Sequence, residues 1–171
     1  MLKPDAFLPL SSSLAETLGT LLGCAVQPGG TGPQAGRLHE VSTLVGLRGD
    51  LSGMLVVSVS DDVALKAAST MMLVAADTIN DDVVDALGEL SMAVLDVVRS
   101  QLDDCELLAG VPTVVTGMRH RVRFPSHISP TVLPFDTAWG PLRVELALAP
   151  VEVHHRSAHA QLASPALSPA I

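Results

Sequence analysis

The sequence predicts an α+β domain with a mostly antiparallel sheet. Three observations carry that expectation. Helical and strand-like patterns segregate along the chain, in the order helix, two strands, two helices, then several strands. The first two strand runs are separated by Gly49-Asp50-Leu51-Ser52-Gly53, a turn composition that joins them as a hairpin. Apolar residues make up 48% of the 171 residues while aromatics make up only 2%, so the core must be built from Val, Leu, Ala and Met.

The elements follow in order. Residues 11–26 read as a first helix, with Ser11, Ser12 and Ser13 as candidate N-caps, Glu16 completing a capping box with Ser13, and Leu14, Leu18, Leu21 and Leu22 at helical spacing. Residues 27–36 are a Gly/Pro loop. Strands are expected at 38–47 and 54–60. Asp61 and Asp62 cap a short helix over 63–73, a break follows at 75–78, and the longest helical pattern runs over 80–102. Strands at 106–115, 119–124, 131–135 and 142–148 complete the domain, residues 1–150. From residue 151 the pattern dissolves into a polar, Pro-punctuated segment that reads as a mobile tail over 151–171.

Charge and composition exclude several functions. The formal net charge is −8, which opposes general nucleic-acid binding, because phosphates demand basic charge. The shortage of aromatics removes base-stacking platforms. No apolar run approaches the roughly 18–20 residues needed to cross a bilayer, and the N-terminus is a poor signal peptide. Cys24 and Cys105 form no disulfide framework and read as reduced thiols. A cytoplasmic protein is expected.

The long helix carries the sharpest signal. Projected at about 100° per residue, Val83, Val84, Leu87, Leu90, Val94, Leu95 and Val98 share one face. The opposite face collects Asp82, Asp85, Glu89, Asp96, Arg99 and Asp103. Met92 falls among these acids, one turn after Glu89 and one turn before Asp96. Such a stripe is either a solvated face or a docking surface. Met suits the second role because it is flexible and polarizable.

At this helix the sequence resembles a family. Asp85-Ala86-Leu87-Gly88-Glu89-Leu90-Ser91-Met92 is similar to the active-site helix of the CheX/CheC-type chemotaxis phosphatases, whose pattern is an acidic or hydroxyl residue, three residues, Glu, two residues, Asn. The hairpin Gly49-Asp50-Leu51-Ser52-Gly53-Met54, the run Gly110-Val111-Pro112-Thr113-Val114-Val115-Thr116-Gly117 and the run Leu133-Pro134-Phe135-Asp136-Thr137 extend the resemblance in the right order over roughly residues 5–150. It implies a CheC/CheX-like fold, a mostly antiparallel sheet with two long helices packed on one face.

The resemblance also implies an activity. Such proteins dephosphorylate the aspartyl phosphate of a CheY-like receiver domain. Their Glu approaches a receiver lysine, and their Asn carboxamide orients the attacking water. The acyl phosphate is already activated, so positioning a water suffices. The cofactor expectation is none bound by this chain, with Mg²⁺ in the partner receiver. Here Asp85 and Glu89 match, but Met92 occupies the Asn position, and Asn80 is the only Asn in the chain. A thioether accepts hydrogen bonds weakly and donates none. The expected function is therefore docking of a phosphorylated response-regulator receiver through Asp85, Glu89, Met92 and Asp96, with phosphatase activity weak or absent. An active phosphatase that uses Glu89 as its catalytic residue with another water-positioning group, and a non-catalytic homodimeric structural domain, are the alternatives.

Other clusters point less far. His154, His155 and His159 have a partial metal-ligand spacing in a Ser/Pro-rich tail. His39, His120 and His127 stand apart. Arg119, Arg121 and Arg123 alternate onto one strand face, as in a charged edge strand. Gly29-Gly30-Thr31-Gly32-Pro33 lacks the Lys-Ser/Thr ending of a phosphate loop. Trp139 reads as a turn residue packing over the sheet edge.

Overall fold

The computed structural model describes residues 7–29, 40–102, 105–118, 120–126 and 128–151. Leu38, His39, Asp103, Arg119, His127 and the Gly/Pro loop from Gly30 to Gly36 lie outside these residues, as does residue 152 onward with His154, His155 and His159.

The first helix, α1 (Phe7–Leu22), places Leu10, Leu14, Leu18 and Leu22 on one fully buried stripe. Leu10 extends that stripe one turn toward the N-terminus, so the helix begins before the serines expected to cap it. Ser11 lies inside the helix, and its hydroxyl donates to the Leu8 carbonyl at 3.0 Å. Gly23, in the left-handed region at φ +62, ends the helix four residues earlier than the apolar pattern predicts. The freed segment forms the edge strand β1 (Val26–Pro28), which the sequence pattern hides in the helix end and the loop.

The hairpin appears as expected, with β2 (Val41–Gly49) and β3 (Leu51–Val59). Its tip is tied to the rest of the sheet by Asp50. The Asp50 carboxylate accepts from the Glu106 amide at 2.8 Å, while the Asp50 amide donates to the Glu106 carbonyl at 3.0 Å. Gly49 has φ +135, and a Cβ on Gly53 would overlap the carbonyl oxygen of Ala147 on the neighbouring strand. Gly49 at the turn and Gly53 within β3 are therefore required by backbone approach rather than by composition.

Next come α2 (Asp61–Met72) and α3 (Asp81–Ser100). Ser60, rather than Asp61 or Asp62, caps α2 by accepting from the Val63 amide at 3.3 Å. Asn80 caps α3 by accepting from the Val83 amide at 3.0 Å. The two acids of the first turn of α2 instead complement the helix dipole. Partial burial, with Glu40 and Asp62 nearby, pushes the Asp61 carboxyl above its usual range.

The predicted single strand over 106–115 is two strands, β4 (Leu107–Ala109) and β5 (Thr113–Thr116). Both run antiparallel to β2. Ala109 faces Leu47 and Thr113 faces Leu44, so four residue steps on one side match three on the other. The interruption at Gly110-Val111-Pro112 is therefore a one-residue bulge. Pro112 has no amide hydrogen to offer the ladder, and the Gly110 amide donates to the Gly46 carbonyl at 2.8 Å. The strands β6 (Thr131–Thr137) and β7 (Gly140–Pro150) close the fold, joined at Ala138-Trp139. Trp139 packs against the core at this turn.

The sheet order is β1-β6-β7-β3-β2-β4, with β5 also on β2, and all pairings are antiparallel. Register puts Val41, Val45, Leu55, Val57, Leu133, Phe135, Leu142, Val144 and Leu146 on the face that meets the helices. Three helices cover it, the two long ones α1 and α3 and the shorter α2. The chain between β5 and β6 must travel from one side of the sheet to the other. The helices occupy one face, so it crosses the opposite one, where His120 Nε2 lies 2.8 Å from Ser42 Oγ and Ser42 Oγ lies 2.7 Å from Ser58 Oγ. That crossing replaces the strand expected over 119–124, of which residues 120–124 carry no strand pairing.

The α3 faces differ sharply in energetic weight. Leu90 is buried, so Leu90→Ala is expected to cost about 2–5 kcal/mol in chemical denaturation. Asp85→Ala on the exposed face is expected to change stability by no more than about 0.5 kcal/mol.

Candidate functional site: the outward face of the long helix

The burial of α3 sets its rotation. Val83, Ala86, Leu87, Leu90, Val94, Leu95 and Val98 are buried, and so are Gly88 and Ser91. The Ser91 hydroxyl is turned back to the Leu87 carbonyl at 2.9 Å, so it offers nothing outward. Asp82, Asp85, Glu89 and Asp96 are exposed. Over Asp82, Asp85, Glu89 and Asp96 the acidic stripe is thus present as a surface, while Arg99 is half-buried.

Its members are not equivalent. Asp96 is paired with Arg99 at 2.8 Å, and Arg99 Nε also donates to the Leu107 carbonyl at 2.9 Å. Asp96 is therefore part of the tie between the end of α3 and β4. Among the described residues, Asp82, Asp85 and Glu89 enter no ion pair. They repeat at helical spacings of three and four, where like charges repel by about 0.2–0.5 kcal/mol per pair.

Asp85 and Glu89 stand between two open clefts. The larger, about 570 Å³, runs between α3 and the bulge. Val84, Asp85, Gly88, Glu89, Met92, Ala93 and Asp96 line one wall, and Val111 and Pro112 the other. The smaller, about 180 Å³, lies toward the end of α2 and is lined by Met71, Met72, Asp82, Asp85, Ala86 and Glu89. The site is an acidic ridge with apolar ground on both sides.

Two expectations are corrected here. Val84, placed on the buried face by projection, is half-buried and lines the larger cleft. Met92, placed among the exposed acids, is half-buried and packs partly on the core while lining the same cleft. Projection assigns an angle to a residue but not the height of the neighbouring wall, and the bulge supplies that wall. Sequence reasoning also missed Val111, Pro112, Met71 and Met72. A Pro inside a strand-like run and an adjacent Met pair were the available signals.

The chemistry of the site is limited. Neither cleft is lined by an amide or hydroxyl side chain. Carboxylates accept hydrogen bonds and attract cations, and the thioether of Met92 adds only weak acceptance. Among the described residues no group of three or more His, Cys, Asp or Glu side chains is placed to hold a metal ion. No helix there is long and apolar enough to cross a membrane.

The profile of the family described as chemotaxis phosphatase CheX matches residues 41–136, from β2 through β6. The chain belongs to the CheX family. Solved CheX-like structures share its fold. A CheC-like superfamily protein from Shewanella sp. PV-4 superposes with a TM-score of 0.72 at 24% identity, covering 86% of this chain and 99% of its own. A chemotaxis protein CheX from Desulfovibrio desulfuricans gives 0.70 at 23% identity, covering 82% and 97%. The CheX of a CheX–CheY–BeF₃–Mg²⁺ complex from Borrelia burgdorferi gives 0.65 at 20% identity, covering 84% and 96%. No curated protein matches the sequence significantly.

In this CheX-family chain Gly88 is where the bulge meets the helix. A Cβ there would lie 3.5 Å from Pro112 Cβ, an ordinary contact. Gly88→Ala is therefore expected to stabilise the protein by about 0.5–1 kcal/mol through helix propensity. Gly88→Leu should instead lower thermal stability, because the longer side chain must displace Pro112. Paired thermal unfolding curves check both.

Proposed function

We propose that this CheX-family domain docks the phosphorylated receiver domain of a response regulator through the outward face of α3, with aspartyl-phosphate phosphatase activity weak or absent. The observation that carries the reading is the ridge itself. Asp85 and Glu89 project between two clefts, and the residue one turn beyond Glu89 is a methionine.

The physical argument has two parts. Carboxylates on a ridge with apolar flanks suit a partner that presents a cation within an apolar surround. Met92 cannot hold a water by donating and accepting at once, and the lining of the clefts offers no replacement amide or hydroxyl. A site of this kind retains recognition and lacks the group that positions the nucleophile. The receiver supplies the Mg²⁺, and this chain needs none of its own. The CheX protein of Borrelia burgdorferi, solved with CheY, BeF₃ and Mg²⁺, supports a receiver as the partner class. A cytoplasmic setting follows from such a partner.

A receiver-phosphate decay assay, run beside a binding titration, tests the reading. The wild-type protein should bind the phosphorylated receiver without accelerating decay appreciably. Glu89→Ala should weaken binding by about tenfold, equivalent to about 1.4 kcal/mol. Met92→Asn should keep the complex and accelerate decay. If Met92→Asn binds but remains inert, more than this one position separates the protein from catalysis. Robust Mg²⁺-dependent dephosphorylation by the wild type, lost in Glu89→Ala, would instead establish an active phosphatase.

A further inference from the structure

The end of α2 holds a conformation that its own sequence disfavours. Leu73 caps the helix in the left-handed region, at φ 57 and ψ 25, and is the only non-glycine residue with positive φ among the described residues. Glycine is the usual occupant of such a cap because it has no Cβ to clash. A leucine there is strained, and burial does not compensate it. Leu73 is 89% exposed and Val74 is 65% exposed. Neither packs against the hydrophobic core.

The segment is nevertheless fixed. The Ser69 hydroxyl donates to the Leu65 carbonyl at 2.7 Å and accepts from the Ala76 amide at 2.9 Å. This clip across seven residues holds the turn after α2 back against its helix. Leu73 and Val74 also directly follow Met71 and Met72, which line the smaller cleft beside Glu89. A strained, clipped and exposed aliphatic pair therefore adjoins the acidic ridge.

We propose that Leu73 and Val74 form a preformed apolar anchor for the same receiver domain whose cation meets Glu89. The proposal rests on the docking reading above and extends its contact surface from α3 to the end of α2. Charge complementarity gives the occupant. The carboxylates demand a positively charged partner surface, and the pad demands an apolar patch beside that charge. A membrane or a nucleic acid fits poorly, because the ridge between the two apolar walls is anionic. The geometry separates two tasks: Glu89 selects the charge, and the Leu73-Val74 pad fixes the angle at which the partner sits.

Leu73→Gly tests the pad because stability and binding should move in opposite directions. Glycine relieves the left-handed strain and removes exposed apolar surface, so thermal unfolding should shift upward by about 2–4 °C. A CheY-type receiver from the source genome, charged with beryllofluoride and Mg²⁺, serves as the probe. Its affinity should fall about fivefold to tenfold for Leu73→Gly and likewise for Val74→Ser, while Glu89→Ala weakens it separately. If both pad variants bind as tightly as wild type while Glu89→Ala binds more weakly, the pad is wrong and the docking reading stands. If wild type, Glu89→Ala and both pad variants all fail to bind the charged receiver, the docking reading itself is wrong and the pad falls with it.

Discussion

The rotational setting of α3 about its own axis is the constraint on which the rest of the structure depends. Val83, Leu87, Leu90, Val94, Leu95 and Val98 are each buried against the core. Burying one such side chain contributes about 1.5–3 kcal/mol. The like-charge repulsion along Asp82, Asp85 and Glu89, about 0.2–0.5 kcal/mol per pair, is several-fold weaker. Core burial therefore decides the rotation, and the acids are carried outward as a consequence. Ser91 goes inward by the same rotation, which removes the nearest hydroxyl from the surface. The site's chemistry is in this sense fixed by residues that never touch it.

A second device turns an exposed helix face into a cleft. The bulge between β4 and β5 inserts one residue opposite β2 and interrupts the ladder at Pro112. It seats Pro112 against Gly88 and leaves Val111 87% exposed. Without that wall, Met92 and Val84 would look onto open solvent. With it they are half-buried, and Glu89 stands at the border of two clefts. Strand irregularities of this kind commonly re-aim side chains beside functional sites.

These two devices also explain what the sequence could and could not tell. Periodicity placed α3 to within two residues, because its buried face repeats strongly and Asn80 marks its start. The hairpin was readable because Gly49 and Gly53 answer backbone requirements at its tip. The start of α1 was not, because Ser11 looks like a cap until Leu10 is seen to continue the buried stripe. The bulge was hidden because β4 and β5 together look like one apolar run, and only pairing with β2 counts the extra residue. The segment over 120–124 alternates like a strand, yet it carries no strand pairing, and its first residue, His120, is held on Ser42 at the sheet face opposite the helices. Composition along a chain records which side chains prefer burial, and it does not record which strand edge is still free when they arrive.

The distribution of polar groups underlies the proposed separation of recognition from chemistry. Recognition of a cation needs only carboxylates held outward, and core burial of α3 provides that for Asp85 and Glu89. Positioning a water needs a donor and an acceptor on one rigid group beside the ridge. In the proposed reading the place for such a group is the helix turn after Glu89, where this chain has Met92. Half-buried between the core and the bulge, Met92 contributes packing there. For the proposed partner the stripe's acids are no substitute, since carboxylates would bring negative charge toward phosphoryl oxygens instead of a neutral donor. In the proposed reading, methionine in place of an amide at this position leaves the fold, the clefts and the acidic ridge intact while withholding the donor and acceptor that water positioning requires.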